Sequence, residues 1–204
     1  MLASLNATYL IVLVVSILVS LVIHEFTHAY VGYRLGDPTA RDEGRLTFNP
    51  LSHIDPVMTV ILPVVTLLMF GMPVLAAKPV PFNPGMVKYE EFGAAMIAAA
   101  GPLSNLVLAF LSAAAAAYIF PGTFVADVLG VFTVLNVTLF VFNLLPIPPL
   151  DGSRVLYAFA PEPVQRFMEA IEPIGLFIVF GLVFVADLGG FVGNINQAIL
   201  NLLP

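Results

Sequence analysis

The chain has 204 residues, of which 60% are hydrophobic and 10% charged, with a mean hydropathy of +1.02; soluble domains are about 45–50% apolar and about 25% charged. So few charges cannot cover a water-facing surface, which excludes a soluble globular protein and implies an all-α polytopic membrane protein, a bundle of about four to six transmembrane helices forming a single domain over residues 1–204. The net charge of −6 comes from scattered acidic residues, seven basic residues leave no footprint for nucleic acid, and the lack of cysteine excludes disulfides and thiolate metal sites.

A bilayer-spanning helix needs about 20 mostly apolar residues. Residues 8–33 are the first such run. No basic residue precedes Arg34, so the run lacks the positive flank of a signal peptide and is expected to remain as a membrane helix. Within it, His24 and His28 are four positions apart, which places both imidazoles on one helix face about 6 Å apart along the axis. That spacing suits one tetrahedral Zn²⁺, and Glu25 follows the first His, where a carboxylate can reach a metal-bound water. Ionisable side chains inside a spanning segment point to function by default.

Two loops, 34–56 and 77–91, are rich in Pro, Gly and Asn, and each contains FNP, at 48–50 and 82–84. Asn-Pro pairs favour turn starts, so each FNP is expected to open a turn. His53, in NPLSHIDP, is a rival metal ligand, but its Pro-bounded setting fits a turn or interfacial role better. Asp42 and Glu43 are expected in a solvated cluster with Arg41 and Arg45.

Between the loops, residues 57–77 are interrupted by Pro63, Gly71 and Pro73, and a proline inside a helix removes a hydrogen bond and kinks it. If this piece is re-entrant or broken, all seven basic residues fall on the cytoplasmic side. A full crossing would instead divide them three against four. The positive-inside bias therefore favours a re-entrant segment, an external N-terminus and an active site opening towards the cytoplasm.

Residues 92–119 and 124–145 are the next spans, joined by the short external turn YIFPGTF (118–124), and 172–188 form a shorter fourth. The second of these runs into VFNLLPIPPLDGSRVL (141–156), where Pro146, Pro148 and Pro149 break the helix. Non-helical backbone at membrane depth is tolerated where it is buried or lines a wet cavity. Asp151, directly after the break and followed by Gly152 for a sharp turn, suits a third metal ligand, although Asp-Gly is also a common turn pair. The tail 191–204 either lies in the interface or packs as a final short helix.

HEFTHAY (24–30) together with NLLPIPPLDG (143–152) resembles the site-2 protease family of intramembrane zinc metalloproteases. The resemblance covers the helix at 8–33, the GPLSN segment at 101–105 and the helix ending at 141–152. It implies His24, His28 and Asp151 as ligands of one Zn²⁺ per chain, Glu25 as the catalytic base, and Asn143 as a residue positioning substrate or the polarised carbonyl. Gly101 and Asn105 also match a family helix, where close packing explains them equally well. The chain lacks the PDZ and CBS domains of many relatives and looks like a minimal form.

The expected partners are a transmembrane protein substrate and the lipid bilayer of a cell membrane. The expected reaction is hydrolysis of a peptide bond within or beside the membrane, as in regulated intramembrane proteolysis. The extended stretch AKPVPF (77–82) could offer an edge to an unwound substrate. A small divalent-metal or solute transporter is the rival reading, since intramembrane His and carboxylate groups also line ion paths. A transporter usually has repeated halves, which are not found here, and has no need for Glu25 between the two His.

Overall fold

The structure, a computed structural model, describes residues 7–61, 64–66, 68, 78, 80–185 and 188–204. Among them the fold is wholly helical: α1 (Ala7–Arg34), α2 (Thr39–Asp42), α3 (Glu90–Tyr118), α4 (Phe124–Asn143), α5 (Asp151–Tyr157), α6 (Glu162–Ile171), α7 (Gly175–Val185) and α8 (Leu188–Leu200). Helices α1, α3 and α4 are long and apolar enough to cross a membrane, and the bent pair Glu162–Val183 and Leu188–Leu200, which meet at 79°, makes a fourth span if counted as one. Among the described residues the count is therefore three, or four with the bent pair, which reaches the lower end of the expected four to six.

The long helices turn apolar side chains outward and bury polar ones among an apolar core. On α1, Ser16, Ser20, His24 and His28 recur every four residues along one buried face, while Leu10, Ile11, Val14, Val15 and Val19 point outward. A lipid-facing exterior makes that arrangement favourable, because apolar side chains gain by exchanging water for hydrocarbon. Helix α3 is the centre, with 44% of its apolar window buried against 22% for α1 and for α4. Its buried face is built from small residues, including Gly93, Ala98, Gly101, Ala109 and Ala113, which let neighbouring backbones approach closely.

Local chemistry explains the joints. Thr123 caps α4 by accepting from the Ala126 amide, so 118–124 is the tight turn expected. Both FNP motifs open turns: Asn49 accepts from the Leu51 amide and Asn83 from the Gly85 amide, each capping one turn of 3₁₀ helix. Asp37, 2% exposed, ties the two loops together, accepting from the backbone and hydroxyl of Thr39 and from the Asn83 amide at 2.6 Å.

Arg45 departs from the solvated cluster expected for it. It is 3% exposed and donates to the carbonyls of Ser52 and Lys78, whereas Arg41 and Asp42 do form an exposed pair. Burial follows from the backbone carbonyls that the turns leave without a helical partner, which a guanidinium can satisfy. Residues 57–77 fall largely outside the described residues; Pro56–Ile61 begins them as a π-helical turn. The stretch 77–82 also lies partly outside, and no strand occurs among the described residues. The tail packs as a helix: Val192 of α8 joins a core with Ala109, Val137 and Val141, and Asn196 donates to Thr138.

Candidate active site

The site assembles where α1, α3 and α5 meet. His24 and His28 are each 7% exposed, and their Nε2 atoms lie 3.0 Å apart. Asp151, the first residue of α5, brings Oδ2 to 3.2 Å from His24 Nε2 and 3.4 Å from His28 Nε2. The side chain of Asp151 is 20% exposed, so the cluster opens on that side.

The second nitrogen of each ring is held. His28 Nδ1 lies 2.7 Å from the carbonyl oxygen of Ile97, which can only accept, so Nδ1 carries a proton and, in the neutral ring, Nε2 a lone pair. His24 Nδ1 lies 2.6 Å from Oδ1 of Asn105 on α3 and donates there in the same way. Two lone pairs and a carboxylate oxygen therefore converge, an arrangement that repels itself unless a cation lies between. Tetrahedral ligands at about 2.0–2.1 Å from zinc stand about 3.3 Å from one another, and the observed 3.0–3.4 Å fits. Only these three residues form a metal-competent group of His, Asp or Glu among the described residues.

Two glycines permit this approach. A Cβ on Gly101 would stand 2.3 Å from His28 Nε2 and 2.6 Å from His24 Nε2, so α3 can pass the cluster only without a side chain there. Gly152 has a similar role in place of the sharp turn expected of it: it lies inside α5, and a Cβ would stand 2.1 Å from the Leu144 carbonyl oxygen. Its smallness lets α5 begin against the end of α4, which sets Asp151 facing α1. The intervening LPIPPL segment contains a cis Pro148-Pro149 bond.

Glu25 is 7% exposed on the buried side of α1, beside His24. Asn143, at the end of α4 and partly buried, donates its amide to the Leu139 carbonyl of its own helix at 2.9 Å. His53 is fully buried but outside the metal-competent group; its Nε2 pairs with the Thr47 carbonyl at 2.8 Å, within its own loop. Phe48 of that loop stacks on Phe26, next to Glu25, with ring centroids 4.0 Å apart.

A buried chain of polar contacts extends behind His24 and was not anticipated from the sequence. Asn105 donates to Asn136 of α4, and Asn136 donates to Ser20 of α1. The available signals were Ser20, one turn before His24, and an amide in the middle of the apolar run 124–145. On the loop side, a cleft of about 600 Å³ lies against α5, lined among others by Ala94, Pro148, Ser153, Arg154, Tyr157 and Glu172. It contains none of the three clustered residues but reaches within two positions of Asp151.

Residues 120–186 match the profile of Peptidase family M50. The Bacillus subtilis protein "Putative zinc metalloprotease YwhC" is 38% identical over 192 residues, which cover 88% of this chain and 83% of that protein. Rip2 of Mycobacterium tuberculosis H37Rv, bearing the same designation, is 31% identical over 176 residues, 85% of this chain and 67% of its own length. MJ0611 of Methanocaldococcus jannaschii, likewise so designated, is 34% identical over 136 residues, 66% of this chain and 63% of its own length. No solved structure matches.

Proposed function

We propose that this chain, which belongs to peptidase family M50 and is a multi-pass membrane zinc metalloprotease, cleaves peptide bonds in or near transmembrane segments of membrane proteins, as in regulated intramembrane proteolysis. The observation that carries the reading is the convergence of His24, His28 and Asp151 on one point inside an apolar bundle, with Glu25 buried beside it. Zinc held by these three ligands would activate a water and polarise the scissile carbonyl.

The remaining work belongs to the chain's own groups. Glu25 accepts a proton from the attacking water at its carboxylate and delivers it to the leaving amine nitrogen. His24 and His28 keep their Nδ1 protons on Asn105 and Ile97, which holds both rings in the ligating tautomer. Asn143 positions the substrate or its polarised carbonyl, a role supported by the NLLPIPPLDG resemblance. The burial of His24, Glu25 and His28 keeps bulk water off the cluster, and the partial exposure of Asp151 supports access from the loop side. The distribution of basic residues supports a cytoplasmic opening and an external N-terminus. The transporter reading gains nothing, because the relatives carry protease names.

Mapping the product ends of a membrane-helix substrate in vesicles by mass spectrometry tests the intramembrane part. The expected cut lies inside or at the edge of the apolar stretch. Cleavage confined to distant soluble loops would contradict it.

A further inference from the structure

We propose that Asn136, which does not ligate metal, is a positioning residue that sets the hydrogen-bond direction presenting the His24 Nε2 lone pair to zinc. The inference rests on His24 being a ligand. The relay crosses three helices: His24 Nδ1 to Asn105 Oδ1 at 2.6 Å, Asn105 Nδ2 to Asn136 Oδ1 at 2.8 Å, and Asn136 Nδ2 to the Phe132 carbonyl at 2.8 Å and to Ser20 Oγ at 2.9 Å. Ser20, Asn105 and Asn136 are all fully buried, so no water can substitute for a partner.

The direction of this chain is fixed at its far end. A side-chain amide can face either way, but the Phe132 carbonyl can only accept. Asn136 must therefore turn its NH₂ towards Phe132, which leaves its oxygen facing Asn105. Asn105 must then offer NH₂ to Asn136 and oxygen to His24. That oxygen requires a proton on His24 Nδ1, and Nε2 is left bare for the metal. Reversing Asn136 would oppose two oxygens at 2.8 Å with no proton between them. It would also allow Asn105 to reverse, moving the His24 proton to Nε2, where it points at His28 and Asp151.

His28 needs no such relay, because its Nδ1 partner is itself a backbone carbonyl. The dependence on Asn136 is therefore specific to His24. A carboxylate at position 105 would accept from His24 whichever way it turned, so Asn136 would no longer set the direction; its second oxygen would instead oppose Asn136 Oδ1, a contact that removing the Asn136 amide relieves.

The test is zinc affinity in detergent by chelator competition, with unfolding of the metal-free protein followed in parallel. Asn136→Leu is expected to weaken zinc binding by about 10–100-fold, the range for outer-shell partners. In the Asn105→Asp background the same Asn136→Leu change is expected to cost no zinc affinity, or to raise it by removing the opposed oxygens. Ser20→Ala, which leaves the Phe132 carbonyl in place, is expected to stay within about twofold of the parent. Should Asn136→Leu not fold, Asn136→Ala carries the same comparison. An equal loss in both backgrounds would assign Asn136 to packing and overturn the proposal, as would no loss in the parent. If His24→Ala binds zinc as the parent does, the ligand assignment itself fails, which is a separate outcome.

Discussion

The Nε2 atoms of His24 and His28 face each other at 3.0 Å while both Nδ1 atoms are engaged by acceptors, and Asp151 closes the group from another helix. With Nδ1 carrying the proton, neither neutral ring can donate into the gap. A cation is what reconciles the three donors, and this is the physical content of HExxH lying in hydrocarbon.

The ligand set predicts opposite behaviour for Asp151 and His53. Asp151→Ala removes one of three donors, so zinc should fall well below one per chain by elemental analysis. His53→Ala should retain zinc, because His53 pairs with Thr47 outside the metal-competent group. Retention by the first variant and loss by the second would move the third ligand into the loop.

Gly101 and Gly130 make a matched pair. Gly101→Ala places a methyl 2.3 Å from His28 Nε2 and should abolish zinc binding and activity. Around Gly130, inside α4, nothing lies within 4 Å of a new Cβ. Gly130→Ala should preserve activity and raise stability by up to about 1 kcal/mol, the helix-propensity difference. Chelator competition and melting in detergent separate the two.

Asp37 predicts a pH effect outside the membrane. Burial raises its pKa, but hydrogen bonds from the Thr39 hydroxyl, the Thr39 amide and the Asn83 amide outweigh it, and the net shift is downward. A folded pKa below the unfolded value, about 3.9, stabilises the fold above that value and is lost as pH falls through the folded pKa. Asp37→Asn should therefore destabilise by about 1–3 kcal/mol at pH 7. The difference from the parent should shrink below about pH 4. Melting temperatures at pH 7 and pH 3 test the sign; a constant difference would contradict it.

Elements governed by local spacing were legible from the sequence. The runs 8–33, 92–119 and 124–145 appear as α1, α3 and α4, shifted by at most two residues at either end, because each is long, apolar and bounded by turn residues. His24, Glu25 and His28 were visible because one helix carries all three. The run 172–188 was less clear: Pro173 sits in a 3₁₀ turn, and α7 begins only at Gly175. What escaped depends on contacts across helices. Gly101 read equally as a family match and as ordinary packing, and neither reading showed that its missing side chain makes room for two imidazoles. Arg45 read as a surface charge, yet it holds carbonyls of both loops. Asn136 carried no motif, and its role is set by the Phe132 carbonyl and by Asn105 on another helix.

Glu25→Gln offers the most direct measurement of the central claim, because the amide keeps the shape of the carboxylate but accepts no proton. Zinc content and cleavage of a membrane-helix substrate should be measured on one preparation. The account predicts one zinc per chain and a cleavage rate lower by about 10²–10⁴, the usual contribution of a general base. Zinc retention with cleavage at the parent rate would contradict it.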